Sequence, residues 1–180
     1  PPAVSTAYLK IAEGCSNGCS YCVIPSIRGK ARSRMPQDVL EEARLLADRG
    51  VRELILIAQD TTAYGRDLKE KQSLSLLLKD LAASENIRWI RLLYTHPTHL
   101  TMEVLTAMAG EEKICRYLDL PIQHIDDAVL KAMHRRTDRK KIMKVIENTR
   151  ETLPDVALRT SIITGFPGET EARFQRLLNF

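Results

Sequence analysis

Three of the chain's four cysteines, Cys15, Cys19 and Cys22, fall within eight positions in the stretch EGCSNGCSYCVIP at residues 13–25. Thiolates are soft ligands that suit zinc or iron–sulfur clusters. A structural zinc closes a shell of four ligands, commonly supplied as two short pairs, and the fourth here would have to come from a distant histidine or from Cys115. A cubane cluster offers another solution: three thiolates hold three irons, and the fourth iron stays free for a substrate or cofactor. The C-x-x-x-C-x-x-C spacing on a loop rich in Gly and Ser favours the cluster, with zinc as the alternative. Cys115, standing alone before an apolar run, reads as a small buried hydrophobe.

Other residues capable of chemistry are less concentrated. His96, His99, His124 and His134 give no pair on one helical face beside carboxylates, so they read as hydrogen-bonded or surface histidines, with His124 the one to watch. The basic runs at residues 28–34 and 134–141 could meet nucleic acid, but solvated helix ends explain them more simply, and no aromatic is interleaved to stack bases.

The elements that must position the cysteines follow from periodicity. Tyr8–Ala12 alternates as a short strand running into the cysteine loop. A helix follows with Val39, Leu40, Ala43, Leu46 and Ala47 on one face, opened by Pro36 and closed by Gly50. The continuous apolar run Glu53–Ala58 predicts a strand buried on both sides. Helices near 74–83, 101–108, 126–133 and 139–153 then alternate with strands at 89–94, 117–120 and 156–163, and a last helix starts at Glu169. Five strands alternating with helices predict an α/β fold with a parallel sheet, either a barrel-like curl or an open doubly wound sheet. Either way, chemistry gathers at the strands' C-terminal ends. The loops there carry the cysteines, Gln59-Asp60, His96-Pro97, Gln123-His124 and the run from Gly165 to Thr170. The longest polar connection, residues 59–73, has the composition of a loop.

The chain's 180 residues, 44% of them hydrophobic, suffice for one globular domain with a real core. A net charge of +4 and a pI near 9.0 tilt only weakly toward nucleic-acid or ribosomal partners. No apolar run is long enough for a membrane span, and Pro1–Val4 has no signal-peptide character, so a cytoplasmic protein is expected. The absence of an initiating Met suggests a segment of a longer protein.

The cysteine motif, with aromatic Tyr21 directly before its last thiol at the end of the first strand, resembles that of the radical S-adenosylmethionine (SAM) enzymes. The stretches EGCSNGCSYCVIPSIRGKARSR, ILIAQDTTAYG, YLDLPIQH and TSIITGFPGET are similar to the methylthiotransferase branch, a likeness that covers nearly the whole chain. QDTTAYG (residues 59–65) resembles the RimO-type enzymes, which methylthiolate an aspartate of a small-subunit ribosomal protein. The MiaB-type enzymes, which modify a tRNA adenosine, usually carry Asn in place of Asp60 and form the runner-up.

The resemblance implies a partial (βα) barrel, truncated before its sixth strand. It also implies a 4Fe-4S cluster on Cys15, Cys19 and Cys22 whose open iron chelates SAM. Reduction then yields methionine and a 5′-deoxyadenosyl radical. Tyr21 should lie near the adenine. Gln59, Gln123, Arg159, Thr160 and Gly165 are the further cofactor-binding candidates, although the Gly-Gly-Glu motif of many such enzymes is missing after the second strand. The implied partners are the ribosome or its small-subunit protein, alternatively tRNA, and an electron donor such as flavodoxin or ferredoxin. The family's N-terminal second-cluster domain and C-terminal β-barrel domain are expected outside this chain.

Overall fold

The computed structural model describes residues 5–69 and 72–180; Pro1–Val4, and Glu70 and Lys71 inside the expected long loop, lie outside the described residues. β1 (Thr6–Lys10) leads into a short ribbon in which β2 (Ala12–Glu13) pairs antiparallel with a later strand. After the cysteine loop come a one-turn helix α1 (Ile24–Arg28) and β3 (Arg32–Ser33), the partner of β2. The alternation then runs α2 (Pro36–Asp48), β4 (Glu53–Ile57), α3 (Leu74–Ala82), β5 (Trp89–Leu92), α4 (Met102–Gly110), β6 (Ile114–Asp119), α5 (Asp127–Ala132), α6 (Arg139–Thr152), β7 (Ala157–Arg159) and α7 (Glu171–Leu178). No helix among the described residues is long and apolar enough to cross a membrane.

Five strands form one parallel sheet in the order β1-β4-β5-β6-β7. A doubly wound sheet reverses its direction of growth at a switch point, which places helices on both faces. Here the succession never reverses, so right-handed crossovers carry the helices to one face and leave the other open, as in an arc of a barrel. That decides between the two expected geometries. Leu54 and Leu56 of β4, Ile90 and Leu92 of β5 and Leu118 of β6 point into the helix-covered core with Leu77, Leu78, Leu81, Leu105 and Met108. Each such burial stabilises the fold by roughly 1.5–3 kcal/mol.

The open face corrects one expectation. Glu53, Ile55 and Ile57 of β4 are only half-buried, so this strand is not covered on both sides. Its apolar run misled because isoleucines line the barrel's concave side as well as its core. Tyr8, at 65% exposure, stands in line with Ile55 and Arg91 across the register. Cys115 is a second correction: it lies within β6, half-buried, not ahead of the strand as an inert core thiol. Farther along, Arg91 donates to Glu53 at 2.8 Å and lies 5.3 Å from the Tyr117 ring centroid.

Local signals account for the element ends. Pro36 opens α2, whose buried stripe is Val39, Ala43 and Ala47, and Gly50 at φ 95° lets the chain turn into β4. Ser73 caps α3 through Leu76 N, and Asp138 caps α6 through Lys141 N. β7 is shorter than the expected 156–163 because the Thr160 hydroxyl takes over the ladder's role. It donates to Leu120 O and accepts from Ile122 N, and pairing resumes only as an isolated bridge between Gln123 and Ile162.

Candidate cluster and cofactor site

The cysteine loop is held from four directions. At its start Gly14 sits at φ 79°, where a Cβ would lie 2.3 Å from Lys30 O, so only glycine fits. Cys15 N donates to Gly29 O at 3.1 Å, and Ala31 N donates to Ser16 Oγ. Ser20 reaches the C-terminal end of α5, its amide donating to Met133 O and its hydroxyl to Ala132 O. From the middle of the loop, Asn17 Nδ2 donates to Asp60 Oδ2 at 2.7 Å. Cys22 N closes a turn onto Cys19 O.

All three thiols are free; Cys15 is buried, and Cys19 and Cys22 are half-buried. Burial raises the Cys15 thiol's pKa, and the nearby charges of Asp60, Cys19 and Cys22 raise it further. Three thiolates in one place therefore require a cation to neutralise them. Three thiolates on one zinc would sit about 3.8 Å apart, given Zn–S bonds of about 2.3 Å in a tetrahedron. Among the described residues only Asp60, His96 and His99 bring three donor atoms within 4.8 Å of one another; the three thiols are spread wider. That spread fits a cluster, whose thiolates sit on separate irons.

The unpaired polar atoms agree. Four buried side-chain atoms among the described residues have no hydrogen-bond partner: Gln59 Oε1, His96 Nε2, Asp119 Oδ1 and Arg135 Nε. Three of these residues follow or end strands β4, β5 and β6, and Arg135 follows α5 and meets the cysteine loop through Tyr21 and a cavity shared with Asn17 and Gly18. Buried polar groups are normally paired, so orphans gathered on one rim mark a place where a polar ligand belongs.

The expected cofactor residues fall into two groups. Tyr21 meets Phe166 edge-on at 6.3 Å, and its hydroxyl accepts from Arg135 at 3.4 Å; burial pushes its phenol up to about 12. Gly165 and Phe166 both donate their amides to the Glu169 carboxylate, which also takes the His124 Nε2 proton at 3.2 Å. Thus the first and last rim loops touch through Tyr21 and Phe166. Gln59 Nε2 donates to Glu13 at 3.1 Å, and Gln59 lines a cavity of about 420 Å³ on the open face with Lys10, Ile57 and Tyr94. Arg159 pairs with Asp119 at 3.5 Å. Gln123, at φ 71°, and Thr160 use backbone and hydroxyl groups to join the ends of β6 and β7.

A third group was not singled out as cofactor-binding in the sequence. Asp60 accepts from Asn17, His99 and Thr62, each at 2.7 Å, and from Ala63 N at 3.2 Å. Burial opposes its charge, yet these hydrogen bonds prevail and hold the carboxyl down at about 2. His96 is buried too, and burial, reinforced by the Arg135 charge, pushes its imidazole down to about 3. These residues line a cavity of about 310 Å³ shared with Cys15, Cys19 and Arg136. Asp60 and His96 were visible as rim residues; Arg135 was hidden inside a basic run read as solvated.

The radical SAM superfamily model matches residues 9–180 of this chain. The ribosomal protein uS12 methylthiotransferase RimO of Syntrophus aciditrophicus is 63% identical over 175 residues, 97% of this chain and 39% of that protein. The RimO protein of Geobacter sulfurreducens is 57% identical with the same coverage. The chain thus spans about two-fifths of the length of the curated relatives it matches. Among solved structures, the radical SAM methyltransferase TsrM of Kitasatospora setae superposes with a TM-score of 0.77 at 17% identity, covering 98% of this chain and 34% of that one. Coproporphyrinogen III oxidase HemN of Escherichia coli follows at 0.65 and 22%, covering 97% and 40%. These two likenesses speak for the fold. With a matched span that runs from the first strand through the cysteine loop to the last helix, the chain belongs to the radical SAM superfamily.

Proposed function

We propose that this chain is the radical core of a methylthiotransferase that acts on an aspartate of the small-subunit ribosomal protein uS12. The observation that carries this reading is the 63% identity to a RimO protein across 97% of the chain. Cys15, Cys19 and Cys22 would hold the 4Fe-4S cluster. When bound, the cluster and SAM together supply the one-electron cleavage of a sulfonium and the radical that abstracts hydrogen.

The chain's own residues bind and orient. Tyr21 and Phe166 form an aromatic corner suited to one edge of the adenine. Glu169, fixed by His124, keeps the Gly165–Phe166 backbone in place beside that corner. Gln59 Oε1 is a buried acceptor ready for an amino group or ribose hydroxyl. Asp119 Oδ1 makes no hydrogen bond but faces the exposed Arg159 cation at 3.5 Å, a pair that would open for Arg159 to meet a carboxylate. Gln123 and Thr160 keep the β6 and β7 ends at the spacing this requires. The uncovered concave face leaves room for a polypeptide side chain to approach.

Sulfur delivery and recognition of the ribosomal protein are assigned to second-cluster and β-barrel domains outside this chain. A flavodoxin or ferredoxin is the proposed electron donor, and the cytoplasm the proposed compartment. This core alone is not expected to complete the reaction, so the test is anaerobic incubation of the reconstituted full-length protein that contains it with SAM, sulfide and reductant, offering uS12 and tRNA side by side. Mass spectrometry should find one methylthio group on a single uS12 aspartate. Modification of a tRNA adenosine instead, or of neither substrate while SAM is cleaved, would overturn the assignment.

A further inference from the structure

We propose that His96 and Arg135 donate hydrogen bonds to the sulfur atoms of the cluster held by Cys15, Cys19 and Cys22, and thereby raise its reduction potential. This rests on the cluster reading above and concerns residues to which that reading gives no role.

The tautomer of His96 is fixed by its neighbour. Its Nδ1 accepts the Thr98 N–H at 3.2 Å, so in the neutral ring the proton is on Nε2. That nitrogen is therefore a donor and offers no lone pair to a metal, which rules out reading Asp60, His96 and His99 as a site for a single ion. Asp60 is committed as well, with four donors on its two oxygens. His96 is 7% exposed, its Nε2 has no partner, and its ring shares a cavity wall with Cys15 and Cys19.

Arg135 repeats the pattern on the neighbouring side. It is also 7% exposed; Nη1 donates to Tyr21 Oη and Nη2 to Pro121 O, while Nε is buried without a partner. No carboxylate pairs with it among the described residues, so a buried cation stands without a counter-ion against the cysteine loop, bonded to Tyr21 and sharing a cavity with Asn17 and Gly18. A lone buried charge is costly unless an opposite charge reaches it. The two residues are close enough for the Arg135 charge to bear on the His96 ring.

The cavity's own carboxylates are already engaged. Asp60 is saturated, and Asp67 accepts from both the amide and the hydroxyl of Ser33. What remains for two buried N–H donors beside the cysteine loop is the sulfur of an anionic cluster, whose thiolates and sulfides accept such bonds. Hydrogen bonds to sulfur and nearby positive charge both favour the reduced cluster, because reduction adds negative charge.

The experiment is a redox titration of the anaerobically reconstituted protein, followed by electron paramagnetic resonance in the absence of SAM, for the wild type, His96→Asn and Arg135→Lys. Asn keeps an acceptor near the position of Nδ1 and removes Nε2–H; Lys keeps the charge and removes the guanidinium fork. Resonance Raman of the Fe–S stretches in H2O and D2O gives the second readout. Both midpoints should move negative, His96→Asn by an amount that leaves several-fold less cluster reduced at the wild-type midpoint, a tenfold change being about 59 mV for one electron. The deuterium sensitivity of the Fe–S stretches should shrink in both variants. Wild-type midpoints and spectra in both would overturn the proposal while leaving the cluster reading intact. A shift seen only after SAM is added would also overturn it, by assigning the donors to the cofactor. A wild-type protein that takes up zinc and no cluster would overturn both.

Discussion

His96 and His124 are built alike and end differently. Each is buried behind a rim loop, and each turns Nδ1 to the backbone amide two residues ahead, Thr98 N in one case and Asp126 N in the other. Each therefore carries its proton on Nε2. For His124 that proton finds Glu169, whose other oxygen gathers the Gly165 and Phe166 amides, and the loop after β7 is locked. For His96 the same proton finds nothing in the protein. A buried histidine with all its partners maintains the shape of a site, whereas one lacking an acceptor faces the place where something else binds. The sequence offers no means of telling the two apart.

The largest effect should come from breaking the satisfied member. His124→Ala removes a donor from a Glu169 side chain that is only 6% exposed, and leaves a cavity at a fully buried position. A loss of about 3–5 kcal/mol is expected, read as a lower urea midpoint with an unchanged slope. His96→Asn in the same cluster-free assay should stay within about 1 kcal/mol of wild type at pH 7, since it removes an orphan donor. Equal losses in the two variants would erase the distinction.

Acid should sharpen the comparison. The folded-state pKa of His96, near 3, lies below its unfolded value of about 6.5, so below 6.5 the unfolded chain binds a proton that the folded chain refuses. The resulting stability is fully present above that value and is lost as pH falls toward 3. Between pH 7 and pH 5 the wild type should lose about 2 kcal/mol through this group alone, and His96→Asn should lose that much less. Asp60 adds a second limb at lower pH: its stabilisation is present above about 3.8 and disappears as pH falls toward 2. Parallel pH profiles for wild type and His96→Asn would contradict the buried neutral ring.

The smallest expected effect lies at the contact between the first and last rim loops. Phe166→Leu keeps an apolar side chain but removes the edge-on ring from Tyr21, and should cost about 1 kcal/mol. Its clearer mark would be weaker SAM binding with unchanged cluster content, measured by equilibrium dialysis. Unchanged binding would detach that corner from the cofactor.

Much of this architecture was legible in the sequence. The cysteine spacing, the alternation of strands and helices, and the collection of unusual residues at strand ends all rest on local periodicity and motif spacing, which a single sequence displays. What escaped it depends on tertiary partners. The β2–β3 ribbon that clamps the cysteine loop is two residues on each side, too short for any pattern. The burial of Ile55 and Ile57 depends on which face the crossovers cover, which composition cannot reveal. Arg135 looked like one of several solvated cations between His134 and Lys141, and only the fold shows that it turns inward to Tyr21 and Pro121 while His134 and Arg136 stay exposed. Asp60 reaches Asn17 across 43 residues, a pairing no local rule anticipates.

The proposed radical chemistry requires that the three thiols hold a cluster with one iron left open to SAM. It is tested most directly by electron paramagnetic resonance of the anaerobically reconstituted and reduced protein, with and without SAM. A 4Fe-4S signal that changes on adding SAM is the predicted result. Stoichiometric zinc, or a cluster signal indifferent to SAM, would contradict it.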